Sequence, residues 1–183
     1  ILDGRDTIYN VGIKFIEVLE QTMKELGVGA LASISGRYFA MDRDNRWDRT
    51  AKAYRAMVGI MNPPPERGRQ ESGIMTAEEA LKSIQISYDK KVYDEEFEPT
   101  VIIKDGKPIA PISGNDAVIF FNFREDSMRQ ISDALIAPQF SEFPRATLER
   151  MRFITMTNYR KDTGAEVAFP AEPMVRALGE VLA

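Results

Sequence analysis

Apolar positions along this chain follow a helical period in some stretches and a strand-like run in others. From Asn10 to Leu26, the positions Val11, Phe15, Val18 and Leu19 recur at helical spacing and Gly27 follows as a stop, which predicts an amphipathic helix. Gly29 to Ile34 is a brief apolar run between turn signals and reads as a short buried strand. Trp47, Ala51, Tyr54 and Val58 form the apolar stripe of a second helix over Asp44–Val58, with Asp44 placed to cap its first turn. Residues 59–75, with Pro63, Pro64 and Pro65, read as an exposed loop. Thr76 and Glu79 then form a capping box for a helix reaching Asp89.

The second half is richer in strands. Thr100–Ile103 and Pro108–Ile112 flank an Asp105-Gly106 turn and predict a β-hairpin. Ala117 to Phe123 is almost uninterrupted in apolar residues and predicts a central strand buried on both faces. Asp126 is a cap for a helix whose Met128, Ile131 and Leu135 face inward, Phe153–Met156 reads as a further strand, and Pro173–Leu182 as a terminal helix. Strands alternating with helices predict an α/β fold: a layered α/β/α sandwich around a mainly parallel sheet, with a small β-hairpin excursion.

Composition narrows the function. A length of 183 residues suits a single domain spanning 1–183, and 44% hydrophobic with 28% charged residues is a globular balance. The net charge of −4 argues against nucleic acid as a partner. No apolar run approaches the ~20 residues needed to span a bilayer, and no secretory signal is visible. The expectation is a cytoplasmic monomer with no membrane partner. Without cysteine there is no disulfide scaffold, and without histidine or cysteine a mixed histidine–carboxylate metal site cannot be built, so no metal ligand is assigned.

Against that acidic background, the stretch Gly36–Arg49 concentrates four arginines (Arg37, Arg43, Arg46, Arg49) and three aspartates (Asp42, Asp44, Asp48) around Trp47. Guanidinium groups grip carboxylates or phosphates through paired hydrogen bonds, and interleaved carboxylates keep them oriented. The pattern reads as a preorganised pocket for a small polyanion. Arg46 and Arg49 read as structural, pairing with Asp48 or other surface acids. Arg37 closes an apolar run and Arg43 precedes a helix start, the places where α/β folds put ligands.

This segment, GRYFAMDRDNRWDR followed by AYRAMVG, closely resembles a signature of the cofactor-independent phosphoglycerate mutases. Three further segments agree in order and spacing: Leu2-Asp3-Gly4-Arg5-Asp6, Tyr93–Phe97 with Pro99–Ile102, and Asp116–Arg124. The resemblance runs from Leu2 to about Leu182. It implies an isomerase of glycolysis and gluconeogenesis that interconverts 3-phosphoglycerate and 2-phosphoglycerate through a phosphoserine. It also implies two manganese ions, held with the serine in a phosphatase-like domain that this chain lacks. The chain resembles the inserted phosphotransferase domain that holds the glycerate, truncated on its N-terminal side, so no catalytic residue is expected here and the fragment alone is expected to be inactive.

By the same resemblance, Arg5, Asp6, Arg37, Arg43 and Arg124 contact substrate, with Asp6 on a glycerate hydroxyl. The bland reading of the first loop, a turn held by its own side chains, fits Asp3 and Gly4 better than Asp6. The family reads FRxDR where this chain reads Phe123-Arg124-Glu125-Asp126-Ser127. Ser127 therefore stands where a second arginine is usual, and its hydroxyl or nearby helix amides become the expected substitute. The competing reading is a stand-alone, non-catalytic anion-binding or interaction module.

Overall fold

The computed structural model describes residues 1–60, 74–75, 77–160 and 164–171. Its elements in chain order are α1 (Gly12–Leu26), β1 (Ser33–Ile34), α2 (Arg37–Ala40), α3 (Trp47–Met57), β2 (Ile74–Met75), α4 (Ala77–Asp89), β3 (Thr100–Lys104), β4 (Lys107–Pro108), β5 (Ala117–Phe120), α5 (Glu125–Ile136), β6 (Arg152–Thr155) and β7 (Glu166–Val167). A 3-10 turn, Asp94–Glu96, precedes β3. The α/β architecture is as expected. The expected Thr76 cap, the terminal helix and most of the 59–75 loop lie outside the described residues, but β2 shows that this loop ends in a strand.

The strands divide between two sheets. In the first, β3 is central, antiparallel to β1 and β4 and parallel to β2. In the second, β5, β6 and β7 run parallel in that order. The hairpin between β3 and β4 turns through Asp105 (φ 53°) and Gly106 (φ 75°), the paired positive angles that an Asp-Gly hairpin turn requires.

Two hydrophobic clusters correspond to the two sheets. Ile16 of α1, Ile34, Ile102, Phe97 and Ala80 and Ile84 of α4 form one. Phe120, Phe153, Tyr54, Met128, Ile131 and Leu135 form the other, the last three being the inward positions expected of α5. The helix α3 joins them, packing on β1 and β3 and also on α5.

Two expectations of burial are corrected. In α1 the chain packs through Ile16, while Phe15, Val18 and Leu19 are exposed. This helix is apolar on more than one face, and periodicity cannot choose which face meets α4. The second correction concerns the run Ala117–Phe123. The strand ends at Phe120, which is buried, whereas Ile119, Phe121 and Phe123 are exposed. Alternation puts Phe120 against Phe153 and points Ile119 away. A continuous apolar run signals capacity for burial on both faces, not its fulfilment.

Candidate anion-binding site

The site is assembled from loops that follow strands. Backbone pairing joins its first two pieces: the Leu2 amide donates to the Ser35 carbonyl (2.8 Å) and the Arg37 amide to the Leu2 carbonyl (2.9 Å). Gly4, at φ 66°, turns the chain into the left-handed region, and the Asp3 carboxylate accepts the amides of Arg5 (3.4 Å) and Asp6 (3.2 Å). Asp3 thus plays the local turn role, while Asp6 points outward to other partners.

Arg37 is 8% exposed and carries two carboxylates on one nitrogen, Asp3 and Asp6, the latter at 2.7 Å. The same Asp6 oxygen accepts from Arg124 at 2.7 Å. Hydrogen bonding from Arg37, reinforced by the charges of Arg37 and Arg124, holds the Asp6 carboxyl below its ordinary pKa. For Asp3, burial pushes upward, and the Arg37 hydrogen bond with two backbone amides overcomes it, so the net shift is also downward.

Arg43 and Arg124 sit on the side of α5. Arg124 occupies the N-cap position of that helix, two residues before the expected Asp126, and its amide is taken by Asn122 Oδ1 at 2.8 Å. Arg43 pairs with Asp126, whose other oxygen accepts the Ser127 amide (2.8 Å) and hydroxyl (3.2 Å). Despite burial, which pushes the Asp126 carboxyl upward, these contacts hold it below its ordinary pKa. Arg124 Nε also lies 3.8 Å from Asp126, so neighbouring residues meet here because Arg124 is outside the helix proper.

Asp44 does not cap α3. That helix begins at Trp47, and Asp42 accepts the amides of Asp44 (3.1 Å) and Arg46 (3.0 Å) instead. Asp42 is buried, accepts from Gln130 Nε2 (3.0 Å) and pairs with Arg49 (3.5 Å). Gln130 also accepts the Asn45 amide at 2.9 Å and donates to Thr50 at 3.0 Å, tying the Arg43 loop to α5. Nothing in the sequence pattern marks Gln130; a glutamine inside a helix reads as surface. The guanidinium of Arg49 lies 3.6 Å above the Tyr38 ring, and Arg46 pairs with Asp44 at 3.3 Å, so both find structural acids, though not Asp48.

These groups converge on one open, polar cavity of about 440 Å³, lined by Arg5, Arg37, Arg43, Arg46, Arg49, Arg124 and Ser127. Of the predicted binding residues, only Asp6 does not line it, and Asp6 bridges two that do. Arg46 and Arg49, read as structural, face the same space. Near it the amides of Asp44 and Arg46 are taken by Asp42, that of Asn45 by Gln130, that of Arg124 by Asn122 and that of Ser127 by Asp126. A larger groove of about 590 Å³ along α1 is lined mainly by apolar and neutral groups such as Met23, Val28, Leu31 and Ile109. Among the described residues no cluster of three or more potential ligands is arranged to hold a metal ion, and the chain has no histidine or cysteine, so these residues do not fit a metal pair.

The chain is 47% identical over 180 residues to the 2,3-bisphosphoglycerate-independent phosphoglycerate mutase of Clostridium novyi (strain NT), covering 98% of this chain and 33% of that protein. The mutase of Clostridium acetobutylicum is 45% identical over the same length and the same shares. In structure it is similar to Leishmania mexicana phosphoglycerate mutase, crystallised at low cobalt concentration, with a TM-score of 0.79, 28% identity, and coverage of 98% of this chain and 33% of that one. The chain thus spans about a third of the length of these relatives. Its residues 1–161 match the family described as BPG-independent PGAM N-terminus (iPGM_N), and the chain belongs to that family.

Proposed function

We propose that this chain is the substrate-holding part of a phosphoglycerate mutase that interconverts 3-phosphoglycerate and 2-phosphoglycerate in the cytoplasm, and that the cavity is where the phosphoglycerate or glycerate sits. The observation that carries the reading is the convergence of Arg5, Arg37, Arg43 and Arg124, from three separate segments, on one polar cavity. A phosphoglycerate presents a phosphate, a carboxylate and a hydroxyl. Guanidiniums suit the first two, and the Asp6 carboxylate can accept a hydrogen bond from the third.

In this reading, binding exchanges partners. An anionic oxygen of the ligand takes over the guanidinium faces of Arg37 and Arg124 that Asp6 now occupies, freeing Asp6 for a hydroxyl. The work of these side chains is positioning and charge neutralisation: they keep the glycerate oriented while its phosphoryl group leaves one oxygen and returns to the other. The serine nucleophile and the two manganese ions of the phosphoryl step belong, by this reading, to the remaining two-thirds of the parent protein.

Calorimetric titration of 3-phosphoglycerate into the chain tests this. Saturable binding is expected that weakens as salt rises, with glycerol failing to compete. Equal binding of any anion, or none in wild type and Arg37→Ala alike, would overturn it.

A further inference from the structure

We infer that Asp94 is a positioning residue, whose turn holds the Arg5, Asp6 and Arg37 side of the cavity as one block. Asp94 is fully buried, and no basic side chain pairs with it among the described residues. Its carboxylate accepts the Gly12 amide at the start of α1 (2.7 Å) and the hydroxyl of Tyr88 near the end of α4. Burial, together with the hydrogen bond to Asp94 and its charge, pushes the Tyr88 phenol upward, so it remains a proton donor. The Asp94 amide donates to the Tyr9 carbonyl at 3.0 Å.

Three glycines press on this turn. A Cβ at Gly12 would lie 2.5 Å from Asp94 Oδ1, one at Gly4 would lie 2.7 Å from the Glu95 amide nitrogen, and one at Gly36 would run into the Glu95 carbonyl. The Gly36 amide donates to the Phe97 carbonyl at 2.8 Å, and Glu95 faces Arg5 at 3.6 Å. Gly4 precedes Arg5 and Asp6; Gly36 precedes Arg37. Any movement of the Asp94–Phe97 segment is therefore passed to these three side chains through backbone contact. Arg43 and Arg124, by contrast, are set by Gln130, Asp126 and Asn122 on the α5 side. The cavity has two sides anchored through different elements and joined by the Asp6–Arg124 bridge, and Asp94 anchors the first.

The inference rests on the anion-binding reading for its functional consequence, and its test separates the two. Amide hydrogen exchange and 3-phosphoglycerate calorimetry would be run on the full chain as wild type, Asp94→Asn, Tyr88→Phe and Phe153→Leu. The last is a core change in the other cluster, compared at matched loss of thermal stability. Asp94→Asn should speed exchange of the Leu2, Gly36 and Arg37 amides while Ile131–Leu135 stay protected, and weaken ligand binding about tenfold. Tyr88→Phe, which leaves the Gly12 contact intact, should do the same by a smaller factor. Phe153→Leu should do neither. Unchanged protection at Leu2, Gly36 and Arg37, or loosened amides with unchanged affinity, would overturn the role. So would Phe153→Leu reproducing the effect. A wild type that binds no ligand would instead sink the anion-site reading, while the exchange data would still decide whether Asp94 anchors these segments.

Discussion

Asp6 and Arg124 lie 118 positions apart in the chain, yet Asp6 Oδ2 and Arg124 Nη1 are 2.7 Å from each other. The same oxygen is 2.7 Å from Arg37, so one carboxylate joins an arginine that follows β1 to one that follows β5. In the proposed function, an anionic ligand oxygen would take the place that this Asp6 oxygen holds between the two guanidiniums.

The first prediction follows from the sign of this linkage. The folded-state pKa of Asp6 is depressed, so its contribution to stability is present above the ordinary carboxylate value and is lost as pH falls through the lower folded value. Asp3 and Asp126 shift the same way. Thermal stability should decline as pH drops below about 4, the usual aspartate range. Asp6→Asn should make that decline shallower in melting curves recorded from pH 6 to 3. An unchanged slope would mean that the Asp6 bridge does not persist in solution.

The second prediction ranks the guanidiniums. Arg37→Ala, Arg43→Ala and Arg124→Ala should each weaken 3-phosphoglycerate binding by about 1.5–3 kcal/mol, the range for a charge-assisted contact. Arg46→Ala should be milder, because the acid it pairs with, Asp44, is exposed. Arg49→Ala should act mainly on stability, by removing the Asp42 pair and the stack on Tyr38. Calorimetry beside urea unfolding distinguishes the two kinds of loss, and equal binding losses at all five positions would mean a single charge network.

Gln130 provides the third. Replacing it with leucine removes three hydrogen bonds and leaves Asp42, Thr50 and the Asn45 amide short of partners. An unmet buried polar group costs about 1–3 kcal/mol, so Gln130→Leu should destabilise by at least about 2 kcal/mol in urea titration. It should also weaken anion binding through the loosened Arg43 loop. Wild-type stability would show that water replaces the side chain without penalty.

Ser127→Arg is the fourth. Ser127 lines the cavity from the first turn of α5, so an arginine there reaches the ligand space beside Arg124 and Arg43. Affinity for 3-phosphoglycerate should rise, and the gain should shrink with salt. Weaker binding at both low and high ionic strength would show that the site is built around the serine and its Asp126 contact.

The fifth concerns turnover. By itself the chain should show no mutase or phosphatase activity above a heat-killed control, with or without added manganese. Among the described residues no cluster of three or more potential ligands is arranged to hold a metal ion. Metal-dependent turnover in a coupled assay would contradict the division of labour proposed here.

The local character of most elements was legible in the sequence. Gly27 ends α1 at φ 66°, Asp105-Gly106 makes the hairpin turn, and Met128, Ile131 and Leu135 face the core. These are properties of short windows, in which one residue's backbone preference or a helical period decides the outcome. The arginine-rich segment and its three companion motifs also identified the family from residues alone.

What the windows could not settle were choices between faces and between partners. Phe15 and Val18 are as apolar as Ile16, and only the packing of α4 decides that Ile16 goes inside. Ala117–Phe123 has the composition of a doubly buried strand, but burial depends on what lies across each face. The Asp42 network is another case: whether Asp42 or Asp44 receives the free amides depends on where Gln130 arrives, 88 positions later than Asp42. The pairing of charges was hidden for the same reason. A sequence shows that arginines and aspartates are present, whereas Coulomb attraction and hydrogen bonding act over a few ångströms that only the folded chain supplies. Chain chemistry thus determined the fold class, the turns and which groups are candidates to bind an anion; tertiary structure decided which carboxylate holds which guanidinium, and that Asp6 bridges Arg37 to Arg124.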